Sequence, residues 1–196
     1  MENSDESIRE RLAVALAAYD EGSRAARIDR IVWLSSHNNL PSAMLGQHEV
    51  LHMLQEARQT FVCGHYAAAL LLAMAVIEHS LVEELQLRAG NLESPSFADA
   101  ISRAVEAQVI PPEWEGPLRH LSRRRNPLAH LKPADHSHTL GARLAGTRDR
   151  PKELLEGDAK EAMEWMYKVF RATLRTCAPN KRYKKKDQDG PPAPVA

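Results

Sequence analysis

Apolar residues recur at helical spacing in several stretches of this chain. The clearest stretch covers residues 65–88, whose first half is apolar on nearly all sides. A helix of this kind is typical of the buried centre of a helical bundle. Gly90 follows it, and glycine is the usual residue just beyond a helix C-terminus. We therefore predict a central core helix that ends at Gly90.

The N-terminal region is predicted to contain two shorter helical pieces. Ser7 and Glu10 have the spacing of a capping box, which would open a first helix. Gly22 and Ser23 are expected to interrupt that helix, because glycine is unfavourable inside helices. A second piece should then run through residues 28–33, where apolar side chains again share a face.

Further helices are predicted at residues 45–60, from Ser94 through Val105, and from Glu113 towards His130. Residues 132–152 contain proline and glycine and are expected to form an irregular loop, after which Asp158 could cap a last helix. No stretch has the alternation of a strand. The fold class is therefore all-α, with extra N-terminal helices before the main bundle.

Composition divides the chain into three parts. Residues 1–44 form the N-terminal extension, residues 45–178 the bundle, and residues 179–196 a Lys-rich tail expected to be disordered. The formal net charge is zero, so the whole molecule has no general attraction for nucleic acid. Local basic segments can still contact phosphates.

The sequence is expected to belong to a soluble cytoplasmic protein. Its two cysteines are far apart and form no metal or disulfide pattern. The N-terminus is acidic and unlike a signal peptide. The longest apolar run, residues 66–77, is shorter than the roughly 18 residues that indicate a membrane span. No membrane association and no cofactor are expected.

The strongest chemical signal is the segment Arg-Asn-Pro-Leu-Ala-His at positions 125–130. It lies within residues 119–132, which contain no acidic residue. Arginine binds phosphate through a planar fork of donors, and histidine exchanges protons near neutral pH. Asn126 and His130 are four residues apart and should share a helix face. The remaining basic residues of the segment, expected to support RNA binding, are Arg119, Arg123, Arg124 and Lys132.

These groups suit RNA cleavage by attack of the 2′-hydroxyl on the neighbouring phosphorus. Histidine can serve as general acid or base, and arginine can stabilise charge on the phosphoryl oxygens. Asn126 can orient either the histidine or a phosphate oxygen. One histidine cannot easily carry out both proton transfers. Two copies of the motif facing one cleft would supply the second histidine.

The same segment resembles the Arg-x(4–6)-His motif of the HEPN superfamily, in its Arg-Asn-x-x-x-His form. The stretch of residues 64–81 resembles the long family helix that precedes the motif, and the resemblance extends over roughly residues 47–175. It implies a four- or five-helix up-and-down bundle, usually a homodimer. Many members are metal-independent endoribonucleases of toxin–antitoxin, phage-defence or RNA-processing systems. Others have lost activity and bind nucleotide, nucleic acid or protein partners.

Carried onto this chain, the resemblance implies that Arg125 and His130 form the catalytic pair, with Asn126 as their polar companion. Some family toxins carry a tyrosine two residues after the motif histidine, which a partner enzyme modifies. Lys132 stands at that position here. An antitoxin or another protein partner remains possible, but that particular regulatory route is not expected.

Glu78 is a candidate supporting residue. It falls on a helical stripe with Met74, Leu81 and Leu85, where an apolar residue would be expected. Because a buried carboxylate is costly without a partner, we expect Glu78 to pair with Arg125, or with Arg124. Alternatively, it reaches solvent at an edge of the bundle.

A competing hypothesis is a zinc hydrolase. Residues 48–52 match His-Glu-x-x-His, a pattern that places His48 and His52 on one helix face to bind zinc. A zinc site needs at least one further ligand, and no histidine follows at a fixed spacing. The predicted site therefore contains no metal.

Overall fold

A computed structural model describes residues 2–37, 48–90 and 95–174 of the chain. These residues form helices and turns without any strand, which confirms the all-α prediction. The helices are α1 Glu2–His37, α2 His48–Cys63, α3 Tyr66–Ala89, α4 Phe97–Glu106, α5 Glu115–Ala129, α6 Leu140–Leu144 and α7 Pro151–Thr173, with a 3₁₀ turn at Pro112–Trp114 before α5.

Helix α3 is the centre of the core, as predicted. It packs against α2, α4, α5 and α7. Leu70, Met74 and Ile77 are fully buried on one face of α3, whereas Leu71 and Leu72 on the other side are half-buried. Gly90 ends the helix with a φ of +81°, and its N–H donates to the carbonyl of Gln86. Glycine adopts this left-handed conformation at no steric cost.

By length and composition alone, Tyr66–Arg88 could cross a membrane. Half of its most apolar window is buried inside the bundle. Core helices of soluble proteins have the same composition, because they too are surrounded by apolar side chains. Packing in this bundle therefore accounts for the buried half of this stretch, while Ala68, Leu71 and Leu72 lie on a half-buried face.

The predicted break at Gly22 and Ser23 was wrong, because α1 is one continuous helix. A single glycine inside a helix costs only about 1 kcal/mol relative to alanine. The Ser23 hydroxyl also donates to the carbonyl of Asp20, a bond that a helix accommodates. The helix begins at Glu2, before the predicted capping box of Ser7 and Glu10.

The predicted start of the last helix at Asp158 was also wrong. Helix α7 begins at Pro151, where the missing N–H of proline has no cost. The Glu153 side chain accepts a hydrogen bond from the N–H of Arg150 and so caps the first turn. Asp158 lies inside the helix and is buried.

Local capping explains two of the remaining helix starts. The Ser96 hydroxyl accepts from the N–H of Asp99 at the start of α4. Within the predicted loop of residues 132–152, Thr139 caps the short helix α6 in the same way. The predictions at Ser94, residues 38–47 and the Lys-rich tail lie outside the described residues.

Candidate active site at the end of helix α5

Arg125 points towards the interior of the bundle. It lies on the same face of α5 as Leu118 and Leu121, which are fully buried. Its Nη2 donates to Oε2 of Glu78 on α3 across 3.2 Å, and the Arg125 side chain is only 20% exposed. The expected contact between Glu78 and Arg125 is thus present, and it ties the end of α5 to the central helix.

Glu78 does not satisfy the whole guanidinium group. The Nε of Arg125 is buried and has no hydrogen-bond partner within the described residues. Arginine carries several donors in one plane, and buried donors are costly when they remain unpaired. Arg125, the arginine of the sequence motif, therefore has one donor, Nε, that Glu78 does not use.

His130 lies just beyond α5 rather than on it. Its backbone is extended, with φ −138° and ψ 134°, and its N–H donates to the carbonyl of Asn126 across 2.8 Å. The expectation that Asn126 and His130 share a helix face was therefore wrong. Pro127 removes a helix donor in the last turn, and α5 ends two residues later.

The exit from α5 nevertheless exposes the motif histidine. The His130 residue is exposed, whereas Asn126 is half-buried. Among the described residues, no side chain forms a hydrogen bond with that of Asn126. The three motif residues thus occupy three environments at one end of α5: Arg125 inward, Asn126 at the margin and His130 in solvent.

Arg124 belongs to a buried ion-pair network. Its Nη1 lies 2.9 Å from Oδ1 of Asp158 and 2.9 Å from Oε2 of Glu161. Arg143 of α6 binds both carboxylate oxygens of Asp158, which is only 3% exposed. Arg124 is therefore held against α7, although the sequence grouped it with the residues that contact RNA.

Arg119 also has partners inside the protein. It donates to Oε1 of Glu115 across 2.9 Å and to the hydroxyl of Ser102 on α4. The hydrogen bond from Arg119 lowers the pKa of Glu115, and a second hydrogen bond, which the hydroxyl of Ser102 donates to the same carboxylate, lowers it further. Arg123 is exposed and Lys132 half-buried, and neither forms an ion pair within the part of the chain that the structure describes.

Two histidines outside the motif, His120 and His138, lie beside this basic cluster. Burial lowers the pKa of His120, and the charge of Arg124 lowers it further. Burial also lowers the pKa of His138, followed by the charge of Arg123. The position of His120, four residues before Arg124, could have identified it as a neighbour on α5.

Among the described residues, His48 and His52 have no third side chain beside them that could complete a zinc site. His48 and His52 are exposed on α2, and Nε2 of His52 lies 3.9 Å from Oε1 of Glu56. No group of three or more His, Cys, Asp or Glu side chains is arranged to hold a metal in residues 2–37, 48–90 and 95–174. The His-Glu-x-x-His pattern is here an exposed helix surface.

No family model, no curated protein and no solved structure matches this chain.

Proposed function

We propose that the protein is a metal-independent endoribonuclease of the HEPN type, with a composite site formed by two copies of the chain. The observation that carries the proposal is the placement of the motif at the end of α5. Glu78 of α3 accepts a hydrogen bond from Arg125 and so orients it, and His130 lies in solvent just beyond the last turn of α5. The proposal requires that a phosphodiester bound beside His130 also reaches the guanidinium of Arg125, whose side chain is 20% exposed.

In this mechanism, His130 of one copy accepts the proton of the 2′-hydroxyl as its oxygen attacks the adjacent phosphorus. The bond from phosphorus to the 5′-oxygen breaks, and His130 of the second copy gives that oxygen a proton. The products are a 2′,3′-cyclic phosphate and a 5′-hydroxyl end. Arg125 stabilises the negative charge that develops on the phosphoryl oxygens.

Arg123 and Lys132 would contribute to RNA binding, because neither is engaged in an ion pair within the described residues. Arg119 and Arg124 contribute less directly, since carboxylates already hold both of them. Salt should therefore weaken RNA binding only moderately, because few phosphates would be neutralised. A cytoplasmic role in defence or with an antitoxin belongs to the same proposal.

One observation favours a second candidate function, a non-catalytic bundle that binds nucleotide, nucleic acid or protein. The guanidinium of Arg125 faces inward and is mostly buried with Glu78. In such a protein, Arg125 would join α5 to α3, and His130 would belong to a binding surface.

The two functions are separated by RNA cleavage with purified protein in EDTA. We expect the wild type to produce ends with cyclic phosphate. His130→Ala should reduce the rate by roughly 10²-fold or more, the usual range for a general acid or base, and Arg125→Ala should have a similar effect because it removes a donor that stabilises transition-state charge. His52→Ala removes an exposed histidine from α2, and Arg103→Ala an exposed arginine from α4. Both control variants should cleave like the wild type.

Equal cleavage by wild type, Arg125→Ala and His130→Ala would exclude the proposed site, and loss of cleavage in EDTA would indicate a metal-dependent activity. Circular dichroism of each variant checks that the helices are retained. If no RNA is cleaved but Arg123→Ala weakens RNA binding, the binding function is the better description.

A further inference from the structure

Three histidines and an arginine outside the motif lie on α5 and on the segment that follows it. His120 and Arg123 are three residues apart on α5 and are therefore neighbours on the helix surface. His136 and His138 lie in the segment between α5 and α6, with their ring centroids 5.8 Å apart. We call these four residues the imidazole cluster. Neither member of the proposed catalytic pair belongs to it.

Asp158 brings the two parts of the cluster to the same side of the bundle. Arg124, one helical turn after His120, binds this carboxylate from α5. Arg143, which lies five residues after His138, binds it from α6. The helix that carries the first histidine and the segment that carries the others are therefore attached at one point.

Several donors of the cluster are not used inside the protein. The N–H of His138 donates to Nδ1 of His136 across 3.3 Å, so the neutral ring of His136 carries its proton on Nε2. Within the described residues, the side chains of His120 and Arg123 form no hydrogen bond. The three histidines are half-buried and Arg123 is exposed, so a ligand can reach the cluster from solvent.

Positive charge surrounds His138. Burial is the largest cause that lowers its pKa, and charge lowers it further. The charges that do so all belong to basic residues, namely Arg123, His136, His120 and Arg143. An anion at this position would meet several cations and potential cations at once.

His120 has neighbours of both signs. Burial lowers its pKa, and the charges of Arg124 and Arg123 act in the same direction. The carboxylates of Glu161 and Asp158 oppose this effect without cancelling it. Both carboxylates already pair with Arg124, whereas Arg123 forms no ion pair within the described residues. The positive charge of Arg123 is thus left for a ligand.

We propose that the imidazole cluster binds a phosphate group of RNA, at a subsite separate from the point where the chain is cut. The inference rests on the proposed function, which supplies the RNA. Imidazole and guanidinium N–H groups donate hydrogen bonds to phosphate oxygens. At about 1.5 Å per residue, His120 and Arg123 lie roughly 14 and 9 Å before the end of α5 at Ala129. An RNA that reaches both the cluster and the motif therefore contacts them with different phosphates.

RNA binding at this subsite is coupled to proton uptake. The charge of a phosphate offsets the positive charge that lowers the pKa of His120 and His138, so the pKa of each rises in the complex. The complex then holds more protons than the separate molecules. Affinity for RNA therefore increases as the pH falls, by at most about tenfold per pH unit for each proton taken up.

The first test is fluorescence anisotropy with a 2′-O-methyl oligouridylate, which lacks the attacking hydroxyl and cannot be cleaved. All proteins carry His130→Ala, so the motif histidine contributes no proton. We expect affinity at pH 6 to exceed that at pH 8 by more than about fivefold, and His120→Gln with His138→Gln to reduce this ratio below about twofold. His52→Gln, at an exposed position on α2, is the matched control and should keep the full ratio.

The second test measures the pKa of His120 and His138 from the nuclear magnetic resonance signals of their ring protons. Both pKa values should rise when the oligouridylate is added, and that of His52 should not. Inorganic phosphate at the same phosphate concentration should raise them less, because nothing else holds it to the protein. An equal rise with inorganic phosphate would indicate a site for a free anion and would overturn the RNA subsite.

Arg123→Gln provides a variant that leaves the imidazoles in place. It removes an exposed side chain, so the fold should persist, and it should weaken oligouridylate binding several-fold at both pH values. Unchanged binding in Arg123→Gln, or an unchanged pH ratio in the double histidine variant, would overturn the subsite even if the wild type cleaves RNA. If the predicted ratios are found but the wild type does not cleave unmodified RNA, the subsite stands and the proposed nuclease activity fails.

Discussion

Asp158 joins three parts of the chain at a single carboxylate. It lies about two turns into α7, binds Arg124 of α5 and Arg143 of α6, and is almost entirely buried. A buried carboxylate is tolerated only where cations and hydrogen bonds replace water. Here two guanidinium groups do so. The segment that follows the motif histidine is thereby held against the bundle.

We predict that Asp158→Asn destabilises the protein strongly. The substitution leaves two partly buried arginines without their carboxylate, and breaking a buried ion pair costs about 3–5 kcal/mol. Urea unfolding followed by circular dichroism measures this loss. Glu161→Gln removes a more exposed partner of Arg124 and should cost less than about 1 kcal/mol. Equal effects of the two substitutions would contradict the central role of Asp158.

His120 gives stability a dependence on pH. Burial and the charge of Arg124 lower its pKa in the folded protein below the ordinary value of 6.5, and Arg123 adds to this effect. The carboxylates of Glu161 and Asp158 act in the opposite direction but do not cancel it.

Because the folded pKa is lowered, the unfolded chain binds more protons at low pH. The stability associated with a neutral His120 is present above about pH 6.5 and is lost as pH falls through the folded pKa. We therefore predict that the free energy of unfolding drops between pH 7 and pH 5, and that His120→Gln reduces this drop. His79→Gln, at an exposed position on α3, should leave it unchanged. Urea titrations at both pH values provide the measurement.

The residues of the site differ in how far the sequence could predict them. Glu78 was identifiable because a carboxylate interrupts an apolar stripe, and such a residue needs a cation. The role of Asp158 was not identifiable, since its partners lie 15 and 34 residues away and an aspartate after a glycine resembles a helix cap. Only the packing of α5, α6 and α7 determines which arginines reach it.

At the scale of elements, α1 is attached by a small polar network. The Tyr66 hydroxyl donates to Oε2 of Glu156 across 2.8 Å and accepts from Arg30 of α1. Lys160 binds the other oxygen of Glu156. The network links α1, α3 and α7 where α1 meets the bundle.

We predict that Tyr66→Phe loosens α1 and lowers the free energy of unfolding by about 1–2 kcal/mol, because both Arg30 and Glu156 lose a hydrogen-bond partner. Hydrogen exchange of the α1 amides near Arg30 should become faster. Tyr19→Phe is the matched control, since the Tyr19 side chain is exposed. Unchanged exchange near Arg30 in Tyr66→Phe would show that apolar packing alone attaches the helix.

The sequence predicted a helix correctly where the apolar pattern and a terminal residue indicated the same boundaries. It failed where the prediction rested on one local residue. The apolar residues on nearly all sides of α3 and the glycine at its end both indicated one long helix. Gly22 alone did not break α1, because the cost of one glycine is small compared with that of ending a helix. The end of α5 could not be located, since a proline in the last turn is compatible with several exits.

At the scale of the whole molecule, equal numbers of acidic and basic residues give a formal net charge of zero. The positions of these charges, rather than their total, determine which ion pairs form. Glu78 and Asp158 pair with arginines inside the bundle, whereas Asp5 and Glu6 of α1 form no ion pair within the described residues. Overall composition could exclude a generally basic nucleic-acid binder, but it could not predict these local pairings.

The apolar surface of α3 has a consequence for the unfolded chain. Residues 66–77 carry no charged side chain, and in the native protein the neighbouring helices bury one face of this stretch fully and the other in part. When heat opens the bundle, this stretch enters water without a charge to keep separate chains apart. Association between unfolded chains then competes with refolding, and the residues that form the centre of the fold also set how reversibly it can be lost.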